Sequence, residues 1–413
     1  MSKSAASSQA RLAGRRGNWA VAEVFAGVGS VAQGFARAGS FDVAYLNDID
    51  EYARRTYRFN YGNNVRYDLC DVRDISGDLI RDAADGRRIA GLLGCPPCQG
   101  WSAAGPRATG DPRNLLLGEF FRLVSDIRPL FFVMENVPSV ADRVELAAAL
   151  EALAPDYRTW HGVLNAASYG LPQSRQRTIV IGYHIDTGVQ PSPPPPTHGG
   201  DRRLWDYRAE RFVKPEAASL DALLGSAPRI GARDHKQYSM RAHYPTDLAG
   251  LKNFVTVGEA IGDLEPEFRG RCSPYAKALA KGVAAPTNHH PWRHGSDFVA
   301  RMALVREGRR PPAEATNNRR YYSQAYARLH RRGLARTITT NFHNPGCGRF
   351  LHYRLHRSLT VREAARLQGF GDDVVFIDHP SWQERVVGNA FPPLWAEVIA
   401  RHVSNQLDAV LAD

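Results

Sequence analysis

Val21-Ala22-Glu23-Val24-Phe25-Ala26-Gly27-Val28-Gly29-Ser30 is the stretch on which the fold turns. The run Val21 to Phe25 reads as a short buried strand that breaks at once into a glycine turn. Glycines at a strand end let a nucleotide-like ligand approach the backbone closely, since no Cβ stands in the way. With Ala32 the turn also matches G-x-G-x-x-A, with acids about twenty residues on. Alone, the turn does not separate a nicotinamide cofactor from S-adenosylmethionine, and a plain tight turn is the lesser alternative.

The same rhythm recurs downstream. Phe41-Asp42-Val43-Ala44-Tyr45-Leu46 runs into Asn47-Asp48-Ile49-Asp50. Ile89-Ala90-Gly91-Leu92-Leu93 runs into Gly94-Cys95-Pro96-Pro97-Cys98-Gln99-Gly100-Trp101-Ser102, and Phe131-Phe132-Val133-Met134 into Glu135-Asn136-Val137. Thr178-Ile179-Val180-Ile181-Gly182 reads as a further strand. Alternating strands and helix-like stretches predict an α/β fold, a doubly wound parallel sheet whose ligands sit at the carboxyl ends of its strands.

The pattern changes after residue 185. Pro191-Ser192-Pro193-Pro194-Pro195-Pro196 is a stiff spacer. Beyond it no βα rhythm is visible; arginines such as Arg202, Arg203, Arg309 and Arg310 interleave with Trp205, Tyr207, Tyr321 and Tyr322. Near the end, Thr360-Val361-Arg362-Glu363 has the form of a capping box for a helix reaching Gly369. Gly388-Asn389-Ala390-Phe391-Pro392-Pro393 then leads into an apolar helix, Leu394 to Val403. The expected division is a loose tail over 1–18, the first part of a catalytic domain over 19–185, a smaller domain over 186–334 and a catalytic return over 335–413.

A chain of 413 residues, 43% hydrophobic and 23% charged, is long enough for two ordinary globular cores. No apolar run reaches membrane-spanning length and the basic amino terminus has no signal-like core, so a cytoplasmic protein is expected. Five scattered cysteines fit a reducing compartment, where a free thiol can serve as a nucleophile. The formal charge of +11 favours a polyanionic partner, nucleic acid first.

Cys98 and Glu135 each follow a probable parallel strand, so the fold brings them to one crevice. A thiol and an acid so placed suit an electron-poor ring: sulfur attacks carbon while the acid handles a ring nitrogen. Burial at the end of its apolar run is expected to keep a proton on Glu135; the alternative is a structural acid at a helix amino terminus. Asp48 is placed to accept from ribose hydroxyls. Asp71 could take an exocyclic amine or simply cap a helix. Arg175 and Arg177, two apart in Gln173-Ser174-Arg175-Gln176-Arg177, share one side of an extended segment and suit a carbonyl, carboxylate or phosphate. Cys95-Pro96-Pro97-Cys98 also has the spacing of a redox pair, but that reading leaves the upstream glycine turn and acids unused.

In this order, these segments resemble the C5-cytosine DNA methyltransferases, the family of bacterial modification enzymes, from Glu23 to about Leu394 apart from the middle. The glycine turn is similar to the family's cofactor loop, and Asn47-Asp48-Ile49-Asp50 and Cys70-Asp71-Val72 to its ribose and adenine segments. Pro97-Cys98-Gln99 resembles the nucleophile motif, and Glu135-Asn136-Val137 and Gln173-Ser174-Arg175-Gln176-Arg177 the next two. Arg362-Glu363-Ala364-Ala365-Arg366-Leu367-Gln368 and Gly388-Asn389-Ala390-Phe391-Pro392-Pro393 resemble the last two. One departure is Ser30, where the family usually carries a third glycine and where slight strain in the turn is expected; Cys95 is another.

The resemblance implies a Rossmann-like S-adenosylmethionine-dependent sheet with a smaller target-recognition domain. It implies that Phe25, Ala26, Gly27, Gly29, Asp48, Ile49, Asp71, Val72, Pro97 and Asn389 hold S-adenosyl-L-methionine, that Cys98, Glu135, Arg175 and Arg177 are catalytic, and that no metal is required. Cys98 would add to cytosine C6 in flipped-out duplex DNA, with Glu135 at N3 and Arg177 at O2. A monomer is expected, with a restriction endonuclease for the same site as a possible partner. The nearest rival is a tRNA cytosine-5 methyltransferase, a branch with a short middle bearing Cys-Phe-Thr; here the middle is long and lacks that tripeptide. A catalytically dead DNA-binding regulator and a nicotinamide oxidoreductase both leave Cys98 and Glu135 without purpose.

Overall fold

The computed structural model describes residues 18–97, 115–215, 250–265, 272–317, 319 and 321–411; Cys98 and most of the expected tail lie outside them. A seven-stranded sheet is built from β1 (Trp19–Val24), β2 (Phe41–Asp48), β3 (Arg66–Leu69), β4 (Ile89–Gly94), β5 (Phe131–Asn136), β6 (Tyr157–Asn165) and β8 (Gln176–His184), with β7 (Gln173–Ser174) just before β8. Its strand order is β3-β2-β1-β4-β5-β8-β6. The chain winds one way from β1 and the other way from β4, so the switch point lies between the carboxyl ends of those two strands, where open α/β sheets bind ligands.

Both faces are covered. Helices α1 (Ser30–Arg37), α2 (Glu51–Tyr61), α3 (Gly77–Asp82), α4 (Leu116–Ile127) and α5 (Val144–Leu153) intervene between strands. Side chains alternate across the sheet: Leu93, Phe131 and Ile179 join Val31, Phe35, Trp395 and Ile399 in one core, while Leu92, Phe132 and Val180 join Ile80, Phe120 and Leu150 in the other. This period of two explains why the central strands read as unbroken apolar runs.

The strand at 178–182 departs from the expected pattern. It belongs to β8, which runs antiparallel to β5, with Glu135 opposite Ile179 and Asn136 opposite Thr178. β6 then pairs antiparallel with β8. This reversal has a functional consequence. The start of β8, not its end, lies at the carboxyl edge of β4 and β5, and that carries Arg175 and Arg177 to the crevice.

The middle of the chain carries the hairpin strands β9 (Leu204–Asp206) and β10 (Arg211–Val213), and the short helices α6 (Val257–Ile261), α7 (Pro274–Ala280) and α8 (Ser296–Ala303). Tyr207, Val257, Ile261 and Leu329 share a third core with Leu359, Ala364, Leu367, Phe376 and Val387. Tyr207 is thus a core residue, whereas Tyr321 and Tyr322 stand 45% and 54% exposed.

The chain returns through β11 (Ala335–Arg336), which pairs with β7, then α9 (Val361–Leu367), α10 (Pro380–Asn389) and α11 (Pro393–Leu411). The capping box forms, the Thr360 hydroxyl accepting from Glu363 N while the Glu363 carboxylate accepts from Thr360 N. Gly388 and Asn389 close α10, a helix with no separate signal in the sequence reading, and α11 runs eight residues past Val403. Among the described residues no helix is long and apolar enough to cross a membrane.

Candidate active site

The glycine turn after β1 is strained and firmly pinned. Phe25, Gly27 and Gly29 take φ values of 55°, 53° and 67°. For phenylalanine the left-handed region costs about 1–2 kcal/mol, which the surrounding bonds must offset. Ala26 N donates to Asn47 O at 2.9 Å and Gly27 N to the Asp48 carboxylate at 2.7 Å. The Tyr67 hydroxyl donates to Gly27 O at 2.5 Å, tying β3 to the same turn. Ser30 is the first residue of α1 and lies outside the left-handed region, so serine there brings no backbone strain, contrary to expectation.

The acids around the turn differ in state. The second Asp48 oxygen accepts from Asp50 N at 2.8 Å. Burial raises the Asp48 pKa, opposed by the N–H donors of Gly27 and Asp50. Ile49, beside it, is 73% exposed and offers an apolar surface at the mouth of the crevice. Glu23, one residue before the end of β1, is fully buried and accepts from Ala32 N at 2.8 Å; burial pushes its carboxyl up to about 8. Asp71 caps the turn Val72–Asp74 and pairs with the Arg73 guanidinium at 2.7 Å, which holds its carboxyl down at about 2.

The second half of the site gathers at β4, β5 and β8. Asn136 Nδ2 donates to Pro96 O at 3.1 Å, fastening the backbone that leads through Pro97 into Cys98 to the end of β5. Glu135 meets Arg177 Nε at 2.7 Å, and both are largely withdrawn from solvent. Arg177 Nη1 also donates to Gln176 O at 2.7 Å. Arg175 takes a different course. It lies in the break between β7 and β8, is 3% exposed, and donates to Ile338 O at 3.5 Å and Ala390 O at 3.3 Å.

Two glutamines knot the carboxyl-terminal return to this edge. Gln173 Nε2 donates to Gln368 Oε1 at 2.7 Å, and Gln368 Nε2 to Val387 O at 3.0 Å. Asn389 is the exposed last residue of α10, two residues past the Val387 carbonyl that Gln368 holds. Asn47, Tyr67 and Gln368 are positioning residues that the sequence reading did not single out for that role. A lone polar residue on a strand, or at a helix end as Gln368 is, carries no signal distinguishing such a bond from a surface position.

A glycine turn with open space beside Gly27, an acid anchored beneath it and an exposed isoleucine beside it suit the nucleoside end of a cofactor. A paired glutamate and arginine beside the end of β5 that holds the Pro96 carbonyl suit a planar base carrying both a ring nitrogen and a carbonyl. Among the described residues no three His, Cys, Asp or Glu side chains form a metal-holding group.

Comparison with known proteins gives the family and the fold. Residues 19–405 match the family model described as C-5 cytosine-specific DNA methylase. The Type II methyltransferase M.DdeI of Desulfomicrobium norvegicum is 29% identical over 93% of this chain and 88% of its own. M.XorII of Xanthomonas oryzae pv. oryzae is 30% identical over 93% of this chain and 84% of its own. A solved structure of a candidate DNA modification methyltransferase encoded within an E. coli prophage superposes with a TM-score of 0.63 at 26% identity, over 95% of this chain and all of that one. The S. pombe Dnmt2 methyltransferase shares the fold, at a TM-score of 0.54 and 14% identity.

Proposed function

The chain belongs to the family of C-5 cytosine-specific DNA methylases, and from that premise we propose how its residues divide the work of methylating cytosine C5 in duplex DNA. C5 of the free base is not nucleophilic. Cys98, as thiolate, adds to C6 and turns the aromatic ring into an enamine-like species whose C5 carries electron density. Glu135 holds the proton at N3 and contacts the exocyclic amine as the adduct forms. Arg177 donates to the O2 carbonyl, and Arg175 fixes the backbone of Ile338 and Ala390 around it. Once the methyl group is bonded to C5, loss of the C5 proton and departure of Cys98 from C6 restore the aromatic ring. The observation that carries this reading is the Glu135–Arg177 ion pair of 2.7 Å beside the Pro96 carbonyl that Asn136 holds.

S-adenosyl-L-methionine, the family's methyl donor, supplies an electrophilic sulfonium methyl group when bound. The residues present fit it: a Cβ built on Gly27 meets nothing within 4 Å, which leaves room for a ligand against the turn. Phe25, Ala26, Gly27 and Gly29 would line its methionine side, Asp48 the ribose, Ile49, Asp71 and Val72 the adenine, and Pro97 and Asn389 the remaining edge. No metal ion enters this chemistry.

Since C6 is hidden in a stacked duplex, the target base is flipped out, at a few kcal/mol recovered from backbone and pocket contacts. The proposed division assigns residues 19–185 and 335–413 to catalysis and 186–334 to target recognition, in a cytoplasmic monomer, with an endonuclease for the same site as its counterpart. Tritium transfer from labelled S-adenosyl-L-methionine tests the substrate. Labelled DNA, unlabelled tRNA and no transfer by Cys98→Ala are expected; labelled tRNA alone would sink the DNA reading.

A further inference from the structure

Cys95 has no part in the mechanism above, yet the sheet aims it at Glu135. Gly94 of β4 is in parallel register with Met134 of β5, so Cys95 and Glu135 are the next pair along. Residues in register on parallel strands point to the same face, about 4.8 Å apart. Glu135 is in turn opposite Ile179 of β8, and Arg177, two residues earlier, shares that face. Cys95, Glu135 and Ile179 line one small cavity with Val31, Phe35 and Phe391. The thiol and the Glu135 carboxyl thus face the same apolar recess as neighbours.

We propose that Cys95 is a positioning residue for the reaction, its S–H donating to the Glu135 carboxylate from the side opposite the substrate and fixing the plane in which that carboxylate faces the base. The terminal torsion of a glutamate is broad and nearly twofold, so a single ion pair leaves the group free to turn. Arg177 at 2.7 Å supplies one hold; Cys95 supplies the second. The thiol stays protonated, because desolvation and the neighbouring Glu135 charge push it well above the usual thiol range. It therefore acts as a donor and not as a second nucleophile beside Cys98.

The proposal rests on the assigned role of Glu135, and a double-mutant cycle separates the two. Single-turnover methylation of a cognate duplex is measured for wild type, Cys95→Ala, Cys95→Ser, Glu135→Gln and Cys95→Ala/Glu135→Gln, each with its melting temperature. Cys95→Ala is expected to lower the rate constant about tenfold, a modest misplacement on the scale of reacting-group geometry, with the DNA KM changed less than about twofold. Cys95→Ser, which keeps a donor, recovers most of the rate. In the Glu135→Gln background, Cys95→Ala costs no more than about twofold further. Full additivity of the two losses, an unchanged rate in Cys95→Ala, or no rescue by serine overturns the proposal. A full rate in Glu135→Gln instead overturns the role of Glu135, and the positioning role with it.

Discussion

Gly27 and Gly29 sit two residues apart in one turn, yet alanine at each should do different damage. At Gly29 two penalties add. Its φ of 67° is left-handed, costing an L residue about 1–2 kcal/mol. Its Cβ would also stand 2.8 Å from Cδ2 and Cε2 of Tyr57. That ring is 1% exposed and packs against Tyr61 and Tyr67 at centroid distances of 5.1 and 5.6 Å, so it cannot swing away. Overpacking of this kind costs about 1–3 kcal/mol more, and Gly29→Ala should lose about 2–5 kcal/mol in all. At Gly27 the φ of 53° brings the first penalty, but nothing lies within 4 Å of the new Cβ. Gly27→Ala should therefore lose only about 1–2 kcal/mol of stability, while its methyl group projects into the space assigned to the cofactor. Urea denaturation of the free protein and calorimetric titration with S-adenosyl-L-methionine measure the two effects. The expected pattern is the larger stability loss at Gly29 and, relative to stability, the larger affinity loss at Gly27. Equal stability losses, or intact cofactor affinity in Gly27→Ala, would refute the reasoning.

Two further outcomes follow from the charged groups. Arg177→Lys keeps the charge but gives up the planar fork, and the rate constant for methylation should fall by about 100-fold or more while cofactor affinity is preserved; a loss below about fivefold would remove Arg177 from the chemistry. Glu23 carries a folded-state pKa of about 8 against an ordinary 4.5. Between those values the folded protein keeps a proton that the unfolded chain releases, so stability falls as pH rises through that window. Glu23→Gln, which imitates the protonated acid, should gain on wild type by a few kcal/mol between about pH 5 and pH 8. A stability difference that does not change with pH would contradict the assignment.

How much of this was legible in the sequence depended on where each element sits in the sheet. β1, β2, β4, β5 and β8 each have two strand neighbours, bury both faces and read as apolar runs. β3 and β6 are the edges. β6, Tyr157–Asn165, is exposed or half-exposed from Arg158 to Gly162, and β3, Arg66–Leu69, spans four residues, so neither carries that pattern. Missing β6 also hid the reversal of β8, since strand direction is not written in hydropathy. The site was legible where chemistry restricts residue type, as at Glu135, Asn136 and the glycine turn. It was opaque where one side chain acts through another. Cys95 faces Glu135 only because Gly94 is in register with Met134, and Arg175 parts from Arg177 because β7 and β8 are separate strands.

The central claim is the transient sulfur–carbon bond at position 98, and a duplex with 5-fluorocytosine at the target position tests it most directly. Fluorine at C5 cannot depart as a proton does, so the methylated adduct should accumulate. With S-adenosyl-L-methionine present, a denaturation-resistant protein–DNA species is expected whose peptide map places the pyrimidine on Cys98, and it should be missing in Cys98→Ala. A methylating enzyme that forms no such species, or one trapped through Cys95, would contradict the account.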